Sequence, residues 1–366
     1  VDEAAEQPIL AIDLGGTHIR AAYVSPDLDV ACRRAVDTRD GDGVAAVVER
    51  ICRLALDTRD EAERARLPAP IGIGISSPGP LDPWRGVVVA PPNLAGWHSV
   101  PLAEAVEDAA GLPTFLERDT NVAVMAEWRH GAARGARDVI YVTVSTGIGG
   151  GIVVDGRPLI GLDGTAGEIG HLTVELDGPL CGDGAPGHAE AIGSGTAIAR
   201  EGRALLAAGT APILARLAAE AAAEPAAAPG PTPRGSTPPH GDDPVDAELV
   251  ARAADAGDAA CKAVLARAWT AVGAMCAGLV NVFNPEVIVL GGAIALHRPE
   301  LPGAVRDEID RRAFATPARR VRVVLSEHRD DVSLIGSLPI VNERLHDPAY
   351  RQGRPIAQPS QLRSPA

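Results

Sequence analysis

Between Glu168 and Glu190 the chain brings together Glu168, His171, Cys181, Asp183, His188 and Glu190. Cys181 follows His171 by ten residues, Asp183 follows by two more and His188 by five more. The stretch is too rich in Gly and Pro to form one helix or strand. A thiolate, a carboxylate and two imidazoles make an allowed zinc donor set, and four protein ligands leave no open position. Zinc held by His171, Cys181, Asp183 and His188 would therefore shape the loop and aim Glu168 and Glu190 into a cleft. On the ordinary alternative these are surface carboxylates and polar loop histidines.

Two further segments carry turn chemistry. Asp13-Leu14-Gly15-Gly16-Thr17 places a carboxylate at a strand end, then two residues without a Cβ, then a hydroxyl. Backbone N–H groups there can face an anion, Thr17 adds a donor, and Asp13 can hold hydrated magnesium. Ser145 to Gly151 repeats the pattern, with Thr146, Gly147, Gly149 and Gly150 in the turn region. Two such hairpins can grip a polyphosphate from both sides; a simple hairpin with glycine at positive φ is the plain reading of either alone. Neither has the helix and Lys of a Walker loop or the spacing of a dinucleotide fingerprint. A third pair, Gly291-Gly292, lets backbone approach a flat ligand such as adenine. Asp119, after the strand Thr114-Phe115-Leu116, is open to two readings. It is a helix N-cap, or a carboxylate at a strand's C-terminal end placed to take a hydroxyl proton.

The elements that must position these groups alternate between strand and helix. Strands are expected at Ile9–Ile12, Ile19–Val24, Ile71–Ile75, Thr114–Leu116 and Val287–Leu290, and across Val139–Val154 as a pair about a Gly turn. Helices are expected at 44–56, 102–110, from 119 onward, and at 259–283, where Asn284-Pro285 stops the last. The strand, Gly turn, strand unit occurs twice, which reads as an internal duplication. Residues 8–118 are expected to form a small N-terminal lobe completed by a helix near 335–346, and 119–334 a larger C-terminal lobe. Seven prolines fall between Pro225 and Pro244, so 224–244 reads as a disordered insertion, and 347–366 as an unstructured tail.

Composition narrows the function. With 366 residues, 46% of them hydrophobic, two lobes can be built around real cores. The net charge of −14 repels nucleic acid and anionic membranes, and leaves a small-molecule substrate as the better fit. Five scattered cysteines, Cys32, Cys52, Cys181, Cys261 and Cys276, disfavour a disulfide framework. No secretory opening and no apolar run of about 18 residues are read, so a cytoplasmic protein is expected.

Taken together, Asp13 to Thr17, Pro92-Asn93-Leu94 with Gly96-Trp97, Glu117 to Asn121, Ser145 to Gly151, Glu168 to His171 and Val289 to Gly292 resemble the ROK family of bacterial sugar kinases and repressors, over about residues 8–340. The resemblance implies an α/β, two-lobed actin/hexokinase-like (ribonuclease H-like) fold closing over sugar and ATP. It implies that Asp119 is the catalytic base for a sugar 6-hydroxyl, and that Asn93, Arg118, Asp119, Glu168, His171 and Glu190 form the sugar pocket. Asp13, Gly15, Gly16 and Thr17 match the first phosphate motif, Thr146, Gly147, Gly149 and Gly150 the second, and Gly291 and Gly292 the nucleotide-side turn. ATP with Mg2+, a structural Zn2+ and a homodimer are the implied partners, and glucose the simplest sugar. Mannose, fructose, N-acetylmannosamine and N-acetylglucosamine stay open, as do polyphosphate as donor and a non-catalytic sugar-binding role. Repressors of the family carry a DNA-binding domain ahead of the first motif; only 12 residues precede Asp13 here, so DNA binding is not expected. Arg118 stands where the family has Asn, Asp183 and His188 replace two zinc-binding thiols, and His18 stands where Lys is common.

Overall fold

The computed structural model describes residues 5–91, 94–223 and 245–352. Two compact units divide the chain: Val1–Gly131, Pro158–Ala166 and Asp331–Ala366 form the first, Ala132–Arg157 and Gly167–Asp330 the second.

In the first unit the main sheet consists of β1 (Ile9–Leu14), β2 (His18–Val24), β3 (Val30–Asp37), β4 (Ile73–Ser77) and β5 (Thr114–Arg118), in the order β3-β2-β1-β4-β5, and Leu81–Asp82 pairs with Val87–Val88 apart from it. β1, β2 and β3 are antiparallel neighbours, whereas β4 and β5 run parallel to β1. Helices α1 (Val44–Arg64), α2 (Leu102–Ala110) and α3 (Asp119–His130) connect or flank the strands. The C-terminal helix Val332–Arg344 also belongs here. It explains the Gly-Ile-Gly alternation that leads into β4. A Cβ at Gly74 would lie 2.7 Å from Ser337 Cβ, and one at Gly72 would lie 2.9 Å from a Val341 methyl. Gly336 lies against α3, where a Cβ would come within 1.9 Å of the Val122 carbonyl. This packing keeps α3 in the first unit, so the boundary falls after Gly131 and not at 118. Pro348–Gln352 is helical, where the sequence reading begins an unstructured tail. Residues 224–244 and 353–366 lie outside the described residues.

The second unit repeats the plan with β6 (Val139–Val144), β7 (Ile148–Val154), β8 (Arg157–Pro158), β9 (Val287–Gly291) and β10 (Arg322–Leu325), ordered β8-β7-β6-β9-β10. β6 and β7 form an antiparallel hairpin, while β9 and β10 are parallel to β6. The order matches that of the first sheet, and so do the directions of β6, β7, β9 and β10, as an internal duplication requires. The sequence reading missed β3, where Arg33 and Arg34 interrupt the strand period, and β10, which is only four residues long.

Helices α4 (Ala189–Gly193) and α7 (Leu301–Arg312) touch this sheet, and α6 (Ala259–Phe283) packs on both of them and on α5 (Gly195–Ala208). Asp258 caps α6 by accepting from the Ala260 and Cys261 amides, and Asn284 closes it in the left-handed region before Pro285. At 25 residues α6 is long and apolar enough to cross a bilayer, which corrects the expectation that no such run exists. Its composition reflects burial on several sides: Trp269, Val272, Met275 and Val280 are buried, and Gly273 admits the Glu308 stem of α7, 2.6 Å from where a Cβ would stand.

Candidate active site and metal loop

At the C-terminal end of β1 the chain turns through Gly15, Gly16 and Thr17, with Gly16 and Thr17 exposed. Neither glycine has positive φ, so the plain reading of positive-φ glycine does not hold. What Gly15 contributes is a close turn, its N–H donating to His18 O at 3.0 Å. Thr38 ties the turn from below, its hydroxyl donating to Gly15 O at 2.6 Å and its amide to Thr17 O at 2.8 Å. Asp13 faces Arg20 across the hairpin. Arg20 Nε donates to Asp13 Oδ2 at 2.9 Å, and a second guanidinium N–H reaches the same oxygen.

Every residue from Thr114 to Trp128 is buried except Asp119, which is exposed. It is the first residue of α3 and not its N-cap, which is Arg118. Asp119 Oδ1 accepts from the Thr120 amide at 2.7 Å, and an acidic group in a first helical turn suits the helix dipole. Beneath it lies a charged layer. Glu117, 1% exposed, accepts from the Arg118 amide at 2.8 Å and Asn121 Nδ2 at 3.0 Å, and pairs with Arg344 of the C-terminal helix. Arg344 also donates to Leu116 O at 3.0 Å. With its hydrogen bonds filled, such a buried pair holds one geometry, and losing either partner would strand a charge.

In the second unit the turn between β6 and β7 is held from three sides. Glu190 Oε2 accepts from the Ile148 amide at 2.8 Å and sits where a Cβ on Gly147 would be 2.6 Å away. The start of α5 reaches the same turn: Gly195 N donates to Ser145 O at 2.8 Å and Thr196 N to Thr146 O at 3.1 Å. From the third side, Ile169 packs on Gly150, and Gly170 lies against Ile148 O, 2.1 Å from where a Cβ would stand. Close packing therefore explains Gly147 and Gly150, and none of Gly147, Gly149 and Gly150 has positive φ.

The loop from 171 to 188 brings its four donors together. Atoms of His171, Cys181, Asp183 and His188 that can bind metal all lie within 4.8 Å of one another. His171 Nδ1 is 3.3 Å from His188 Nδ1, 3.1 Å from Asp183 Oδ2 and 3.8 Å from Cys181 Sγ; His188 Nδ1 is 3.3 Å from Asp183 Oδ2. Bond lengths of about 2.0–2.3 Å around a tetrahedral zinc imply ligand separations of roughly 3.3–3.6 Å. These four edges, 3.1–3.8 Å, straddle that range and the remaining two stay within 4.8 Å, so the four donors are of the right kind and near the right spacing to hold the ion. Burial raises the Cys181 thiol pKa, whereas the hydrogen bond from the Ala185 amide is the main cause lowering that of Asp183. Gly187 is indispensable to the loop, with φ +71° and a Cβ position 1.5 Å from Glu175 O. Cys181 Sγ is 3.8 Å from Glu190 Oε1, so one carboxylate touches both the metal loop and the Gly turn.

Other predicted residues have plainer surroundings. Gly291 and Gly292 let β9 and the following helix approach β6; a Cβ would stand 2.0 Å from the Tyr141 hydroxyl and 2.5 Å from Thr143 Oγ1 respectively. Glu168 is exposed, just before the turn Ile169–His171. Asn93 lies outside the described residues. Sequence reasoning missed Arg20, Thr196 and Arg344. The register of a hairpin turning at Gly15–Thr17 would have placed Arg20 opposite Asp13, whereas nothing local marks Arg344.

Residues 9–344 match the family model described as ROK family. A glucokinase from Thermotoga maritima is 33% identical over 337 residues, 92% of this chain and 98% of that protein. An N-acetylmannosamine kinase from Citrobacter koseri is 39% identical over 198 residues, 54% of this chain and 65% of that protein. Among solved structures, a ROK family glucokinase from Streptomyces griseus in complex with glucose and AMPPNP superposes with a TM-score of 0.71 at 27% identity, covering 91% of this chain and 98% of that one.

Proposed function

The chain belongs to the ROK family and has its actin- and hexokinase-like α/β fold, and on that premise we propose that it is an ATP-dependent hexose kinase, most simply a glucokinase. Its reaction class is phosphoryl transfer to an alcohol. The observation that carries the reading is Asp119, the one exposed residue in a stretch buried from Thr114 to Trp128, at the C-terminal end of a parallel strand. There its carboxylate takes the proton of the sugar 6-hydroxyl as that oxygen attacks the γ-phosphate. The buried Glu117–Arg344 pair supports it in place.

Asn93, Glu168, His171 and Glu190 hold the sugar hydroxyls, since carboxylates accept in fixed directions. His171 turns Nδ1 toward Cys181, Asp183 and His188, which leaves its Nε2 for a hydroxyl. The turns with Asp13, Gly15, Gly16 and Thr17, and with Thr146, Gly147, Gly149 and Gly150, hold the phosphates, and Gly291 and Gly292 border the nucleotide. Asp13 would hold Mg2+, a hard cation that keeps most of its waters and neutralises phosphate charge. Zinc on His171, Cys181, Asp183 and His188 would be structural. We place the enzyme in the cytoplasm, with its ATP supply, as a homodimer.

Glucose is favoured because the glucokinase match spans nearly the whole chain. The higher identity to the N-acetylmannosamine kinase, over about half the chain, supports that sugar as the second reading. The test is ADP release from ATP and magnesium with a hexose panel, run beside Asp119→Asn. Turnover on glucose is expected to fall by about 10²- to 10⁴-fold in the variant. Turnover confined to N-acetylmannosamine would replace glucose, and silence with every sugar would overturn the kinase reading.

A further inference from the structure

We infer that Arg118 is a positioning residue: it latches the segment Pro158–Ala166 to the end of β5 and acts on the sugar site through that segment. Its effect on turnover rests on the kinase reading above, whereas the latch itself does not. Arg118 stands directly before Asp119, yet its exposure is 4%. The guanidinium works chiefly on main chain: Nη2 donates to the Ala166 carbonyl and Nη1 lies 3.5 Å from Thr165 O, while one side-chain oxygen, Asn121 Oδ1, lies 3.5 Å from Nη2. The aliphatic stem runs over Gly79, where an added Cβ would be 3.2 Å from Arg118 Cδ. Gly79 leaves the room that this long side chain needs.

The latched segment is itself folded. Ala166 N donates to Ile160 O at 3.1 Å, and Asp163 Oδ1 accepts from the Thr165 hydroxyl at 2.7 Å and its amide at 3.3 Å. The Thr165 hydroxyl is the main cause holding the Asp163 carboxyl below its usual range. Gly164, at φ +84°, presses so close to Leu81 O that a Cβ would come within 2.6 Å. The segment thus lies against Leu81–Pro83 on one side and takes the Arg118 fork on the other. Gly167 and Glu168 follow Ala166 directly in the chain. One buried cation is therefore covalently next to the proposed base and hydrogen-bonded two residues before a proposed sugar carboxylate. Asn at this position would be too short to reach the carbonyls. Lys would reach one of them with a point charge, whereas the planar arginine fork serves both.

Hydrogen exchange of the full chain without ligand tests the latch, read on peptides covering 160–167 in the wild type, Arg118→Met and Arg118→Lys. The Met variant should speed exchange of the Thr165 and Ala166 amides by about tenfold or more, with the Lys variant between it and the wild type. If Met does not fold, Arg118→Gln replaces it in the same order. Sugar kinetics then separate positioning from mere structure: the variants should raise KM for the sugar in the order of their exchange, with KM for ATP changed by less than about twofold. Unchanged exchange at 160–167 together with a raised sugar KM would overturn the latch and make Arg118 a direct sugar contact. Faster exchange with an unchanged sugar KM would overturn its positioning role. A wild type that phosphorylates no sugar would sink the kinase reading, while the exchange result would still decide the latch.

Discussion

The β1–β2 and β6–β7 hairpins occupy the same place in two sheets of identical order, yet they are held by different chemistry. The first is charged: Asp13 and Arg20 face each other across it, and Thr38 fastens its turn. The second is carried by main chain and shape, with α5 donating to Ser145 O and Thr146 O, with Gly147 and Gly150 pared to let Glu190 and Ile169 in, and with Gly170 set against Ile148 O. Its one close charge, Glu190, also touches the metal loop. The two hairpins thus share a topology while their supports differ. Equivalent glycines in the two turns consequently serve different needs.

That contrast can be broken most severely in the first unit. Arg344→Met leaves Glu117 as a buried, uncompensated carboxylate and should cost about 3–5 kcal/mol, read by denaturant unfolding. A loss below about 1 kcal/mol would mean that the charged layer does not carry the strand end. The next largest effect belongs to the second unit. Zinc should be present at one per chain in protein purified without chelator, and stripping it should lower Tm by several degrees, because loss of the ion frees a loop that buttresses Glu190. Metal-free protein with the same Tm would detach the loop from the turn. The smallest effect sharpens the comparison itself. Gly147→Ala must displace Glu190 Oε2 from the Ile148 amide and should cost about 1–2 kcal/mol, whereas Gly15→Ala, whose Cβ would sit 3.0 Å from His18 O, should cost under about 1 kcal/mol. Combining Gly147→Ala with Glu190→Ala should be non-additive. Additive losses would show that the Gly147–Glu190 contact is not what the turn depends on.

Much of the fold was legible in local pattern. The helices 102–110 and 259–283 match the sequence reading end to end, because apolar period and caps sit within the segment itself. The duplicated hairpin was legible because strands flanking a Gly turn announce themselves twice. Elsewhere local pattern misled: the apolar length of α6 is a burial signal, and the boundary expected at 118 ignored the helix that returns from the far end of the chain.

The sequence by itself determined which four donor side chains converge in the 171–188 loop and which carboxylate opens α3, since donor spacing and strand-end position are properties of a short segment. Only the tertiary structure decided what supports them. Glu117 and Arg344 are 227 residues apart in the chain, and Arg118 and Ala166 are 48 apart. Such partners meet because sheet order and helix packing carry them together, and no residue near either one records the meeting. The same reason hid the double contact of Glu190, which depends on a loop and a hairpin closing on one side chain.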